Sequence, residues 1–123
     1  MMTAALDATS RTALHILAYQ YLGQGKDEKA HALFSFLLSQ NLSDSGLRLA
    51  FAFVSLRLGK VGEAREALAA LEVSPLAAAH LLRGKAFALS GMREEAQSAF
   101  ARYRMLRYRN AHRGTNARAM SDN

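Results

Sequence analysis

The 123-residue sequence contains no cysteine, no tryptophan and a single proline. Without cysteine the chain cannot form disulfides, thiolate metal sites or cysteine nucleophiles, and this is compatible with a reducing compartment. β-Branched aliphatic residues are also scarce: one isoleucine and three valines, against 43 alanines and leucines. Strands favour β-branched residues and helices favour alanine and leucine. The composition therefore predicts an all-α protein.

Long apolar runs are absent as well. No stretch approaches the roughly 20 residues that a membrane-spanning helix needs. Residues 1–10 show no basic region followed by an apolar stretch, so no secretory signal is visible. We therefore expect a cytoplasmic protein without a membrane span.

The net charge of +6 is concentrated at one end. Residues 1–95 carry ten basic and nine acidic side chains, whereas residues 96–123 carry six arginines against Asp122. A basic segment can bind nucleic acid, anionic lipid or an acidic protein, or it can serve solubility alone. The sequence leaves these alternatives open.

An internal repeat becomes visible when the glycines are aligned. Gly25 and Gly59 lie 34 residues apart, and Gly91 follows 32 residues later. Each glycine is followed, five residues on, by an alanine: Ala30, Ala64 and Ala96. A period near 34 with two helices per unit is typical of stacked helical hairpins. Helices are expected at about 10–23, 27–39, 45–58, 62–71, 75–89 and 93–108, and Ser74-Pro75 is read as the capped start of the fifth.

These features resemble the tetratricopeptide repeat family. The units would be 11–44, 45–78 and 77–110, preceded by an N-terminal segment (1–10) and followed by a basic, disordered tail (111–123). The family's two small crossing residues are matched in every unit, by the pairs Ala18 and Ala30, Ala52 and Ala64, and Gly84 and Ala96. The sequence departs from the family's apolar pattern at Arg48, His80 and Arg83. The resemblance implies three hairpins stacked in a short right-handed superhelix.

The same resemblance implies a concave groove lined by the first helix of each unit. The residues at its inward positions are mainly apolar, with two aromatic anchors: His15, Tyr19, Leu22, Leu49, Phe53, Leu56, Arg57, Leu81, Lys85 and Leu89. An apolar groove of this kind suits a helical or extended segment of another protein.

The last predicted helix offers a secondary surface. Tyr103, Leu106 and Arg107 follow helical spacing there, and no extra capping helix is evident after it. This surface could be covered by a partner or by a second copy, giving a homodimer when the partner is absent. Nucleic-acid binding through the arginines, with tyrosines stacking on bases, is a less favoured alternative because no reading motif accompanies them.

Catalytic signatures are missing. The sequence has no glycine-rich phosphate loop, no helical His-Glu-x-x-His pair and no serine elbow, and its four histidines are scattered. We expect neither an enzyme nor a bound cofactor or metal.

The size, the three repeats and the segments 25–34 and 91–103 resemble the small chaperones of bacterial type III secretion, of the YscY/SctY kind. This resemblance implies a chaperone or adaptor in the bacterial cytoplasm, associated with virulence. It would bind a small export substrate in the groove, keep it soluble and deliver it to the export-gate protein. A needle-subunit chaperone, a translocator chaperone or a general repeat scaffold remains an alternative.

Overall fold

Six helices account for the regular structure in the computed structural model, which describes residues 7–40 and 44–121. Their bounds, in chain order, are α1 (Ala8–Gly23), α2 (Asp27–Gln40), α3 (Ser45–Arg57), α4 (Val61–Ala69), α5 (Ala77–Leu89) and α6 (Arg93–Ser121). Over the described residues there is no strand, so the all-α fold class is confirmed. The chain divides into two compact units, 1–67 and 68–123, which are called the first and second unit from here on and differ from the three repeat units. Residues 1–6 of the N-terminal segment, 41–43 of the first repeat unit and 122–123 of the tail lie outside the described residues.

One turn joins the two helices of each hairpin, and the three turns have the same geometry. Gly25, Gly59 and Gly91 adopt φ values of 75°, 77° and 74°, in the left-handed region that glycine enters without strain. After the first glycine, the amide of Lys26 donates to the carbonyl of Tyr21 at 2.9 Å, and equivalent bonds close the other two turns. Such bonds satisfy the last carbonyls of the preceding helix. The predicted role of these glycines is confirmed.

The small residues predicted at the helix crossings are all buried: Ala18, Ala30, Ala52, Ala64, Gly84 and Ala96. In the first unit α1 packs on α2 and α2 packs on α3, and in the second unit α5 packs on α6. At Gly84 the approach is tightest, because a Cβ atom built there would lie 2.5 Å from Cε1 of Phe100. Larger residues fill the core on either side of these crossings, among them Phe34, Leu37, Leu47 and Val54 in the first unit.

Two of the three polar residues that break the apolar pattern, Arg48 and His80, bond to backbone carbonyls, and the third, Arg83, contacts the His80 ring. Arg48 is half-buried, and its guanidinium donates to the carbonyl of Ala67 at 3.2 Å, in the last turn of α4. His80 is fully buried; its Nε2 lies 2.8 Å from the carbonyl of Ser74, and its Nδ1 lies 3.3 Å from the Arg83 guanidinium. A cation near the end of a helix also complements the helix dipole. These positions are therefore filled by hydrogen-bonded groups rather than by apolar packing.

Two predicted helix starts differ from the structure by two residues, and the start of α4 differs by one. α1 begins two residues early, at Ala8, because the carboxylate of Asp7 accepts from the amide of Ser10 at 2.7 Å and caps the helix. α5 begins two residues late, at Ala77, so the prediction of Ser74-Pro75 as its start is wrong. The Ser74 hydroxyl instead accepts from the amide of Leu76, and the Ser74 carbonyl is held by His80 outside the helix.

The end of α6 differs most. The sequence predicts a helix ending near residue 108 and a disordered tail from residue 111, but helical backbone continues to Ser121. After Pro75 the chain contains no further proline, and five of the residues from 111 to 121 are alanine or arginine, which are strong helix formers. Helix propensity can extend a helix without an apolar period, and the prediction relied on that period alone.

Candidate functional site

Two aromatic side chains of the first unit stand partly in solvent where the sequence places the groove. Tyr19 on α1 is 46% exposed and Phe53 on α3 is 38% exposed. The Tyr19 ring rests edge-on against the fully buried ring of Phe34, with centroids 5.0 Å apart. Tyr19 is therefore fixed at its base by the core while its outer part remains open to a partner.

Arg57 fixes the position of the second aromatic. Its guanidinium carbon lies 5.0 Å from the centroid of the Phe53 ring, a cation–π distance. The Nε of Arg57 donates to Asp27 Oδ2 at 3.1 Å. The Nη2 of Arg57 donates to Asp27 Oδ1 and, at 3.4 Å, to the carbonyl of Leu22. One side chain at the end of α3 thus contacts the end of α1 and the start of α2.

The electrostatics of this contact favour both charges. The hydrogen bond from Arg57 lowers the pKa of the Asp27 carboxyl below its ordinary value, although partial desolvation opposes the shift. The same bond, in which the Asp27 carboxylate accepts, raises the pKa of Arg57. Asp27 also opens α2, where a negative charge is favourable with the helix dipole. The pair therefore connects two helical hairpins by a bidentate, charge-assisted bond.

The remaining predicted groove residues of the first unit lie three or four residues from Tyr19 on α1 or from Phe53 on α3, on the same side of the helix as the aromatic. His15, Leu22, Leu49 and Leu56 are half-buried, and none is sealed in the core. Partial burial raises the pKa of the Tyr19 hydroxyl, and the negative charge of Asp44 raises it further. We define the aromatic face as Tyr19, Leu22, Phe53 and Arg57.

The predicted groove residues of the second unit lie on α5. Leu81 is half-buried, Lys85 is exposed and Leu89 is 66% exposed. These positions are accessible within their own unit. Their membership of one continuous groove stays a prediction.

The predicted secondary surface on α6 needs a correction. Leu106 is only 7% exposed, so it belongs to the core and not to an open surface. Tyr103 is half-buried and Arg107 is exposed, and the Arg107 guanidinium donates to the Tyr103 hydroxyl at 3.3 Å. The helical spacing that grouped these three residues is compatible with either face of the helix, which is why it misassigned Leu106.

Sequence reasoning missed the contacts that join successive hairpins. Besides Asp27 and Arg57, Nε2 of His31 lies 2.8 Å from Glu63 Oε1, and the His31 ring stacks on Phe51 with centroids 5.0 Å apart. The two partners in these polar contacts are 30 and 32 residues apart, close to the repeat period. Opposite charges separated by about one repeat were the available signal.

The described residues offer little support for other kinds of site. Among them, no group of three or more histidine, aspartate or glutamate side chains is arranged to hold a metal ion. Within the same residues no helix is both long and apolar enough to cross a bilayer.

Comparison with known proteins places the fold among helical-repeat structures. No protein-family model matches the sequence, and no curated protein matches it. The solved structure of PcrH in complex with the chaperone binding region of PopB is similar, with a TM-score of 0.78 and 20% identity over 97% of this chain and 98% of that chain. A structure described as MamA MSR-1 C2 is similar with a TM-score of 0.73 and 20% identity, over 81% of this chain and 59% of that chain. These likenesses support the predicted tetratricopeptide-type fold.

Proposed function

We propose that this protein is a cytoplasmic chaperone of type III secretion that binds a segment of an export substrate on the aromatic face. It keeps the substrate soluble and unassembled and delivers it to the export gate. In this proposal the chain binds and does not catalyse. The observation that carries it is the pair of partly exposed aromatics, Tyr19 and Phe53, held in place by the core and by Arg57.

The physical basis is burial of an apolar segment on a prearranged surface. A large apolar side chain that becomes fully buried contributes about 1.5–3 kcal/mol before ordering costs. Tyr19 and Phe53 each have contacts that limit their motion in the free protein, so less ordering is required on binding. Two or three such anchors contribute about 3–9 kcal/mol before ordering costs, and micromolar binding corresponds to about 8 kcal/mol, so the anchors supply a large part of the affinity and the remaining contacts of the segment supply the rest.

The likeness to PcrH supports this proposal at the level of the whole chain. PcrH was solved with the chaperone binding region of PopB, and the two folds correspond over almost their full lengths. A fold of this size can therefore hold one segment of another protein. The resemblance of segments 25–34 and 91–103 to type III chaperones supplies the secretion system and the class of partner.

The test is co-expression with each export substrate encoded beside the gene, with soluble complex as the readout. Phe53→Ala should weaken binding by about tenfold or more, because one anchor is removed. Phe36→Ala is the matched control: Phe36 is 44% exposed but lies on α2, outside the aromatic face. Circular dichroism should show unchanged helicity in both variants.

A contrary result is equally clear. If Phe53→Ala and Tyr19→Ala retain as much substrate as the parent, or if Phe36→Ala is the damaging substitution, the aromatic face is not the binding surface.

A further inference from the structure

α6 carries a second apolar feature that the aromatic face does not use. Leu106 is buried, but Met105 is 50% exposed and Tyr108 is 64% exposed. With Ala101 and His112, which are also exposed, they recur at intervals of four, three and four residues. The rings of Tyr108 and His112 lie together, with centroids 4.1 Å apart. We call Ala101, Met105, Tyr108 and His112 the α6 seam.

The spacing of the α6 seam is that of a coiled-coil interface. Residues alternating at intervals of three and four form one stripe along a helix, and here three apolar residues and His112, whose ring lies against Tyr108, form the stripe on which a second helix could pack. Met105 and Tyr108 supply the large side chains, and methionine adapts its shape to varied partners. The seam therefore fits a helix better than an extended strand.

Arginines flank the seam. In the heptad defined by Met105 and Tyr108, the positions beside the seam that decide partner choice are occupied by Arg102, Arg104 and Arg109, all exposed. Only Ala111 among the flanking positions is uncharged. Between Glu95 and Asp122 the sequence contains six arginines and no acidic residue. After its first turn, α6 carries no negative side chain to offset the charge of these arginines.

The positive charge of the flanking arginines determines which kind of partner can bind the α6 seam. A second copy of this chain would bring arginine against arginine in either orientation, and like charges across such an interface oppose pairing. Acidic residues at the flanking positions of a partner helix would instead form ion pairs along both edges. A nucleic acid would leave Met105 unburied, and one face of the Tyr108 ring is already covered by His112.

We propose that the α6 seam and its flanking arginines bind an amphipathic helix of a partner protein whose own flanking residues are acidic. This site is independent of the aromatic face. It gives the concentration of arginines on α6 a role in partner choice.

The experiment uses the full chain and a fluorescein-labelled synthetic helix of about three heptads, with leucine at the seam positions and glutamate at the flanking positions. A second peptide carries lysine in place of glutamate. Fluorescence anisotropy should show binding of the glutamate peptide and much weaker binding of the lysine peptide. Met105→Ser with Tyr108→Ser should lower the affinity for the glutamate peptide by about tenfold or more.

Charge reversal provides the sharper test. Arg102→Glu with Arg109→Glu should invert the preference, so that the lysine peptide binds better. The control is Lys29→Glu with Lys60→Glu, which changes the net charge equally at two exposed sites outside α6. The control should retain the original preference.

Three results with the peptides would overturn the proposal: equal binding of the two peptides, a preference that survives the Arg102 and Arg109 substitutions, or binding that the two serine substitutions leave intact. An oligothymidylate probe distinguishes the remaining source of affinity. If it binds as tightly as the glutamate peptide and competes with it irrespective of the serine substitutions, the arginines act as a general polyanion surface and the proposal is wrong. The Phe53 experiment stands apart from all of these outcomes.

Discussion

Single side chains at the helix crossings decide how closely the backbones approach. In the second unit Gly84 allows the Phe100 ring to occupy the space that any Cβ would enter. In the first unit Ala18 and Ala30 are fully buried at the corresponding positions. The family's requirement for a small residue is therefore stricter at Gly84, where even one methyl group conflicts with an aromatic ring.

Gly84→Ala should destabilise the protein although alanine is the better helix former. Overpacking against Phe100 costs about 1–3 kcal/mol and helix propensity returns about 1 kcal/mol, so a net loss of up to about 2 kcal/mol is expected in urea unfolding. Gly62→Ala is the control, because Gly62 is in α4 and a Cβ atom added to it would meet no heavy atom within 4 Å. It should be neutral or slightly stabilising. Phe100→Leu should recover part of the Gly84→Ala loss, and a loss that is unaffected would point to another cause.

Ser55 should tolerate replacement better than its burial suggests. Its side chain is fully buried in α3, and its hydroxyl has no hydrogen-bond partner among the described residues. Ser55→Ala removes that unpaired group and adds helix propensity, so the free energy of unfolding should rise by up to about 1–2 kcal/mol. Ser90→Ala is the comparison, because the Ser90 hydroxyl donates to the carbonyl of Ala86 at 2.9 Å. A lower urea midpoint for Ser55→Ala would contradict the structure at this position.

Polar contacts near the helix ends connect the elements of the first unit in addition to the apolar packing along the helices. Arg57 closes α3 and contacts the last turn of α1 and the first residue of α2. His31 and Glu63 connect α2 with α4. The aromatic face is thus positioned by polar contacts at its margin, while the apolar core beneath it sets the helix spacing.

The Asp27–Arg57 contact should give stability that depends on pH. The folded state lowers the pKa of Asp27 below 3.8, so its contribution is present above that value and is lost as the pH falls through the lower, folded-state pKa. A double-mutant cycle of Asp27→Asn and Arg57→Gln, measured by urea unfolding from pH 6 downward, isolates the pair. The coupling should be favourable at pH 6 and diminish below about pH 4. A coupling that persists unchanged in acid would show that the carboxylate is not its source.

Local signals predicted the elements better than the sites between them. The three glycine turns and the small crossing residues follow from backbone conformation and side-chain size, which a sequence displays directly. The predicted start of α5 was wrong because the Ser74 carbonyl bonds to the His80 side chain and lies outside the helix. The predicted end of α6 was too early because helix propensity extends α6 where the apolar period stops. The family pattern selected Tyr19, Phe53 and Arg57, and the structure shows both aromatics partly exposed, but the pairing of Arg57 with Asp27 required knowledge of which helix ends meet.

At the scale of the whole molecule, the two proposed surfaces differ in chemistry. The aromatic face presents partly exposed rings, and its arginine is already paired with Asp27. The α6 seam presents exposed Met105 and Tyr108 between arginines of like charge. If both proposals hold, one chain distinguishes two partners, one mainly by apolar fit and the other by charge.

This difference should appear as two salt dependences in the same protein. Raising the salt concentration from roughly 50 to 500 mM screens exposed charges, because the Debye length falls from about 14 Å to about 4 Å. Charges separated by more than the Debye length then attract each other only weakly. Affinity of the glutamate peptide for α6 should fall by about tenfold or more, whereas that of the export substrate for the aromatic face should change by less than about threefold. Anisotropy titrations of each ligand against the full chain measure both. A parallel decline would mean that charge governs both surfaces, and the division into an apolar site and a charged site would then be wrong.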